Sequence, residues 1–139
     1  VWNMLRLSFF TDNKDYRAKA EQTLNSFGDM MGNSPRGFTT MICAADFFQS
    51  TPKEIALIGK RGASDTSKLI GAVHDLYVPN KIIAFMEPGK ANEKELQKRI
   101  PLLAGKSLRG GKATAYVCQN YSCKLPVTDA AELQKQLKD

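Results

Sequence analysis

Long apolar runs are missing from this 139-residue chain. Nothing approaches the roughly 20 residues that span a bilayer, and no charged-then-apolar leader opens the sequence, so nothing in it targets a membrane. Cysteine is scarce and odd in number, three in all, which argues against a disulfide scaffold and for a reducing compartment, the cytoplasm by default. Histidine occurs once, so any imidazole chemistry within the chain has to use His74, whose sole neighbouring carboxylate in sequence is Asp75; a boundary or surface position is expected for it. Both phosphate fingerprints are absent, the P-loop and the three spaced glycines of a dinucleotide loop alike. A continuous basic run is lacking too. The net charge of +6 is spread over separate positions such as Lys14, Arg17, Lys53, Lys81 and Arg109, which describes a solvated surface better than a nucleic-acid-binding face.

What is present reads as globular: 42% hydrophobic and 24% charged residues, close to ordinary soluble domains. The first fifty residues carry a helical period. Val1, Leu5 and Phe9 recur every four residues; after the turn-like Thr11-Asp12-Asn13, Tyr16, Ala20, Leu24, Phe27 and Met31 repeat the pattern. Gly32-Asn33-Ser34-Pro35 breaks it, and Phe38, Met41, Ile42, Ala45 and Phe48 mark a third helix, so apolar once Cys43, Ala44 and Phe47 are counted that burial on every side is expected. The first eight residues already resemble the interior of an amphipathic helix with no cap ahead of them, which suits a C-terminal piece of a larger protein.

From Thr51-Pro52 the period changes, which puts a domain boundary there, residues 1–51 before it and 52–139 after it. Ile55–Ile58, stopped by Gly59, and Ile82–Met86, stopped by Pro88-Gly89, are short solid apolar blocks expected to be buried strands lying side by side. Between them Ser64 or Asp65 starts a helix with Leu69, Val73 and Leu76 on its inner face, closed by Pro79, which gives a βαβ unit. Asn92 and Glu95 have capping-box spacing ahead of a short helix that Pro101 ends. After Gly110-Gly111, Ala113–Cys118 is a third strand, and Thr128-Asp129 opens a closing helix with Leu133 and Leu137 inward. The expected fold class is α/β: about three helices, then a β-α-β-α-β-α unit with a mostly parallel three-stranded sheet.

The stretch Ala113-Thr114-Ala115-Tyr116-Val117-Cys118-Gln119-Asn120-Tyr121-Ser122-Cys123-Lys124-Leu125-Pro126-Val127-Thr128-Asp129 resembles the C-terminal signature of the thioredoxin-domain-containing family that includes the spermatogenesis-associated proteins and their bacterial relatives. The rest of the chain is compatible with the same family. The resemblance implies a longer protein with an N-terminal thioredoxin-like domain, a central toroid of helical hairpins similar to carbohydrate epimerases and glycosidases, and a C-terminal α/β segment. This chain then holds the last hairpin helices and that segment, and its partner is the remainder of its own chain. The family's redox motif of the Cys-x-x-Cys type belongs to the N-terminal domain and has no counterpart here.

Two sets of residues are candidates for chemistry. Cys118 and Cys123 have four residues between them, and a tight turn through residues 119–122 can, but need not, bring their α-carbons within the roughly 4.4 to 6.8 Å that a disulfide spans. Three readings stay open: small buried cysteines at a strand end, a reversible disulfide or reactive pair, and half of a metal site, for which Cys43 and His74 on separate helices are a thin supply of further ligands. Lys124 is the adjacent cation that would favour a thiolate. The second candidate is an anion-binding loop, Gly59, Lys60, Arg61, Gly62 and Ser64, at the C-terminal end of a strand and the start of a helix, against a turn that merely uses glycine for tight geometry. No cofactor, metal or catalytic residue is expected. The expected function is a structural or binding module without complete catalytic machinery of its own; the alternatives are part of a carbohydrate-processing or thiol-redox enzyme and, third, anion or nucleotide binding at the Gly59 loop.

Overall fold

Strand-forming and helix-forming stretches divide where the spacing of apolar residues changes. The computed structural model of the chain describes residues 1–120 and 122–138; Tyr121, inside the cysteine turn, and Asp139 lie outside the described residues. The chain forms two compact units, Val1–Thr51 and Pro52 onward.

The first unit consists of α1 (Trp2–Thr11), α2 (Lys14–Ser26), α3 (Gly28–Asn33), a 3-10 turn (Pro35–Phe38) and α4 (Thr39–Gln49). Asp12 takes the left-handed conformation that ends α1, and the Asn13 side chain accepts the Asp15 N–H to start α2, so two consecutive residues close one helix and cap the next. Leu5, Ala20, Leu24, Ala44 and Phe47 form the buried centre, with the rings of Trp2 and Phe9 packed on Phe47. The Arg17 guanidinium lies over the Phe48 ring and donates to the Phe48 carbonyl, fixing α2 to the end of α4. Burial of α4 on every side is not observed. Ala44 and Phe47 are buried, whereas Ile42 and Cys43 are exposed, because α1 and α2 cover a single face of this helix.

The second unit holds β1 (Lys53–Ile58), α5 (Ser64–His74), β2 (Lys81–Met86), α6 (Glu93–Arg99), a 3-10 turn (Pro101–Leu103), β3 (Thr114–Gln119), β4 (Ser122–Cys123) and α7 (Ala130–Lys138). As expected, β1 and β2 are parallel neighbours, Lys53 opposite Lys81 through Ile58 opposite Met86. The three-stranded, mostly parallel sheet is corrected: among the described residues four strands form a mixed sheet in the order β2-β1-β3-β4, with β3 antiparallel to both its neighbours. The reason lies in the connection. After β2 the chain lays its 3-10 turn (Pro101–Leu103) against β1 and β2 instead of sending a helix back along the sheet as α5 does between β1 and β2. Thr114 therefore begins β3 beside Ile58, where β1 ends. The capping box at Asn92 also fails to form: Glu95 pairs with Arg99 at 2.6 Å, and Glu93 accepts the Gly89 N–H instead.

Alternation along β1 and β3 gives the sheet two faces. Ile55 and Leu57 join Ala115 and Val117 against Leu69 and Val73 of α5 and Leu133 and Leu137 of α7. On the opposite face Ala56, Ile58, Ile82, Ala84, Met86 and Tyr116 are buried, and the turn at Leu102 and Leu103 packs over β1 and β2. Gly59, at the end of β1, is where α5 comes closest. A Cβ there would overlap the Thr66 hydroxyl and come within 3.1 Å of both Thr66 Cγ2 and the Ala113 Cβ. Gly59→Ala is therefore expected to cost about 1–3 kcal/mol by overpacking. Denaturant unfolding of Gly59→Ala, Thr66→Ala and the double variant checks this, the double variant being less destabilised than the sum of the two.

Candidate functional site

Sheet register builds the cysteine site. Asn120 has φ 48°, a left-handed turn that lets β4 fold back on β3 and sets Cys118 opposite Cys123. The Lys124 N–H donates to the Val117 carbonyl, so hydrogen-bonded positions flank the two cysteines and they occupy a non-hydrogen-bonded pair, the class in which strands approach most closely. Their α-carbons are 3.9 Å apart, closer than the roughly 4.4 to 6.8 Å expected from sequence, and the sulfurs form a disulfide. Farther along, Ala115 and Val127 exchange both backbone hydrogen bonds. From Val117 to Ala115 is two steps and from Lys124 to Val127 is three, so the partner strand carries one extra residue at Leu125-Pro126. Leu125 projects there, 84% exposed.

The two halves of the disulfide differ sharply. Cys118 is 4% exposed, buried in the central part of the sheet, while Cys123 sits exposed on the edge strand. Across the sheet on the same face, Ile82, Glu54, Cys118 and Cys123 form one row, each residue the register partner of the next. Beside this row the Tyr116 hydroxyl donates to the Ser107 carbonyl and accepts the Ser107 N–H, while the Lys106 ammonium lies 5.6 Å from the Tyr116 ring centroid. Burial pushes the Lys106 ammonium below its usual range, and the nearby Tyr116 and Glu54 act in the opposite direction. Lys124, the cation next to Cys123 in sequence, donates to the Gln136 carbonyl near the end of α7, and Lys53 reaches the same oxygen. Gln136 in turn donates to Leu125, which ties the segment after β4 to that helix. An open depression of about 530 Å³ lies beside the segment, lined by Arg109, Lys112, Leu125, Pro126, Thr128 and Glu132.

The loop from Gly59 to Ser64 is arranged differently. Gly59 is buried under Thr66, Lys60 is exposed, Gly62 turns the chain with φ 79°, and the Arg61 guanidinium stands 5.4 Å from the Phe85 ring centroid. The start of α5 already carries an anion of its own. One Asp65 carboxylate oxygen accepts the Thr66 N–H and the other the Ala113 N–H, both at 2.8 Å, joining the helix to the residue that precedes β3. These bonds, that from Ala113 first, hold the Asp65 carboxyl below its usual range against a partial opposing effect of burial. A group whose folded value is depressed stabilises the fold above its unfolded value of about 3.9, and that contribution is lost as pH falls through the folded value. Asp65→Ala is thus expected to lower the melting temperature at neutral pH, with the difference from the unsubstituted chain closing as the pH is taken below the carboxylate range. Thermal melts of both chains across pH check this.

His74 is exposed at the end of α5, and no group of three or more His, Cys, Asp or Glu that would hold a metal ion occurs among the described residues. Cys43, the free cysteine, is exposed on α4 in the helical unit. No helix among the described residues is long and apolar enough to cross a membrane. Reading the sequence missed Glu54 as a neighbour of the cysteine pair, since only the antiparallel register of β1 and β3 places it opposite Cys118.

Fold and site together define a helical unit followed by a mixed α/β module with a disulfide between a central strand and an edge strand. Over 135 residues, 97% of its length, the chain is 36% identical to spermatogenesis-associated protein 20 of Homo sapiens. It is 33% identical over equally long alignments to the proteins of that name from Mus musculus and Rattus norvegicus. The chain spans 17% of the length of these relatives. No family model matches it, and no solved structure does so at a significant level.

Proposed function

We propose that this chain is a structural and binding module of a longer protein and that its one chemically active element is Cys118–Cys123, working as an exchangeable disulfide. The alignment of nearly the whole chain to a sixth of longer relatives supports the first part. So do the exposed apolar side chains of the helical unit, Met4, Leu7, Met30 and Ile42, which suit contact with further segments of the same polypeptide. The Tyr-Val-Cys stretch and its following cysteine favour a longer protein that contains a thioredoxin-like domain and a helical toroid.

The observation that carries the second part is the unequal burial of the two sulfur-bearing residues. Thiol–disulfide exchange requires a thiolate to reach one sulfur while the other leaves, and an exposed cysteine joined to a buried one offers a single accessible point of attack. A disulfide in a chain with an odd cysteine left over suits exchange better than scaffolding. The test is a thiol count on the folded chain by alkylation and mass measurement. One reactive thiol, Cys43, is expected before treatment with dithiothreitol, three afterwards, and one again after reoxidation by glutathione disulfide, with the far-ultraviolet circular dichroism unchanged. Three thiols that never re-form the bond, or a bond that resists dithiothreitol until the chain unfolds, would overturn the exchange reading.

A further inference from the structure

We infer that the thiol exchanged at Cys123 belongs to an extended, acidic polypeptide segment, which adds to the open edge of β4 with its own cysteine opposite Cys123. The inference rests on the exchange reading above and adds to it the class of partner. Backbone direction makes the site. Ala115 bonds to Val127 and Val117 to Lys124, so by alternation the backbone groups of Cys118 face β1 on the other side. Cys123, opposite Cys118 in a non-hydrogen-bonded pair, therefore turns its N–H and C=O away from β3 and out of the sheet edge, where they bond to no described residue. Ser122 through Leu125 are all exposed there. One residue of an incoming antiparallel strand can take both of these bonds, the main-chain recognition that extends a sheet.

The same pairing aims the chemistry. Directly opposed residues project on one face, so the row of Cys118 and Cys123 gains a third member on the far side of Cys123. A thiol placed there approaches Cys123 Sγ from the side away from the Cys118 sulfur, the in-line direction in which one sulfur enters as the other leaves. The partner's charge follows from what lies farther along the edge. The depression beside Leu125 and Pro126 is lined by Arg109 and Lys112, which the Gly110-Gly111 turn, φ 57° and 72°, holds opposite one another. Both are exposed and neither forms an ion pair among the described residues, against one lining acid, Glu132. An antiparallel segment approaches this depression on the N-terminal side of its cysteine and, at about 3.3 Å per residue, reaches it about three or four residues before that cysteine. Leu125, 84% exposed, is the apolar side chain that the segment covers on the way. Pro126 and the extra residue beside it end the pairing edge, which guards against indiscriminate strand addition. Selection of the partner then falls to the sulfur and the two cations.

The partner's thiol first ionises, giving its proton to water. Its thiolate attacks Cys123 Sγ, the partner–Cys123 disulfide forms and the Cys118–Cys123 bond breaks. The Cys118 sulfur leaves with the electron pair and takes a proton from water. The partner's sulfur is oxidised and Cys118 is reduced, so the exchange needs no further oxidant or reductant. Closing is the reverse: the Cys118 thiolate attacks Cys123 Sγ and expels the partner's thiolate.

The experiment uses the full chain carrying Cys43→Ser with its disulfide closed. It is mixed with an excess of a short peptide that has glutamates three and four residues before its single cysteine, and acid quenching, alkylation and mass measurement follow loss of the closed form. Glutathione, and the same peptide with lysines in place of the glutamates, are compared at equal thiolate concentration. The glutamate peptide is expected to open the bond at least about tenfold faster than glutathione, as two added backbone hydrogen bonds allow, with a rate that saturates as its concentration rises. The lysine peptide should be slower than the glutamate peptide by about fivefold or more, a gap that narrows at high salt. Arg109→Glu combined with Lys112→Glu should reverse that preference. Peptide and glutathione rates within about twofold of each other, both linear in concentration, overturn strand addition while leaving exchange standing. Equal rates for the glutamate and lysine peptides overturn the acidic partner. A bond that no thiol opens in the folded chain overturns exchange as well. The peptide comparisons keep Arg109 and Lys112, so they decide even where the charge-reversed chain fails to fold.

Discussion

Replacing Phe47 with alanine is expected to destabilise the helical unit by about 3–5 kcal/mol, the range for removing a buried aromatic ring. Phe47 is 1% exposed and is the largest of the fully buried side chains. The rings of Trp2 and Phe9 meet it with centroids at 5.6 and 5.8 Å, the latter edge-on, so truncation removes both aromatic contacts along with the buried area. The other buried residues of this unit are few, two leucines and two alanines (Leu5, Leu24, Ala20 and Ala44), which leaves little to collapse into the space. Domain stabilities of about 5–15 kcal/mol are typical, so such a loss should bring the unit close to unfolding. Denaturant titration followed by circular dichroism and by Trp2 fluorescence measures it; a loss below about 1 kcal/mol would mean that the ring is not a packing centre.

Leu133→Ala is expected to have the second largest effect, about 2–5 kcal/mol. Leu133 is fully buried in the cluster formed with Leu69, Val73, Val117 and Val127, and with Leu137 it makes the inner face of α7. This short helix starts on the Asp129 carboxylate, which accepts the N–H groups of Ala131 and Glu132, and near its other end Lys53 and Lys124 donate to the Gln136 carbonyl. Those bonds place the helix, but its two buried leucines hold it on the sheet. Leu125→Ala is the control. Leu125 is 84% exposed, and its replacement should change stability by less than about 0.5 kcal/mol. Equal losses for the two leucines would contradict the packing described for α7.

Much of this fold is legible in local spacing. The solid apolar blocks Ile55–Ile58 and Ile82–Met86 are read as buried strands because polar residues are absent from both faces, and they pair in parallel as a crossover helix between them requires. The Thr11-Asp12-Asn13 turn and the Asp129 start of α7 are legible because short polar side chains satisfy helix ends by a fixed local geometry. What depends on distant parts of the chain is not. The direction of β3 depends on where the long connection after β2 delivers the chain, beside Ile58 at the end of β1, and local spacing carries no record of that. Ser122-Cys123 is too short for any periodic signal, so β4 emerges only when the turn at Asn120 folds it onto β3.

The candidate site divides in the same way. Cys118 and Cys123 stand out as candidates from their spacing, with four residues between them, but that spacing leaves a disulfide as one of three readings. Their unequal burial follows from strand order, which puts Cys118 in the interior of the sheet and Cys123 on its edge. Glu54 is invisible as a partner from sequence, lying 64 positions before Cys118 and opposite it only because β1 and β3 run antiparallel. At the Gly59 loop, glycine and two basic residues suggest an anion site. The structure puts Thr66 against the glycine, sets the Arg61 guanidinium over the Phe85 ring and turns the Asp65 carboxylate toward the backbone of Ala113, a bond that joins residues far apart in the chain.

The most direct measurement compares two chains in a Cys43→Ser background, Cys118→Ser and Cys123→Ser, each mixed while folded with the same limiting concentration of glutathione disulfide and followed by mass for glutathione addition. The chain that retains Cys123 should acquire the adduct at least about tenfold faster than the chain that retains Cys118, because thiol exchange follows access to the sulfur. Equal rates, or faster addition at Cys118, would contradict the account of a buried sulfur working behind an exposed one.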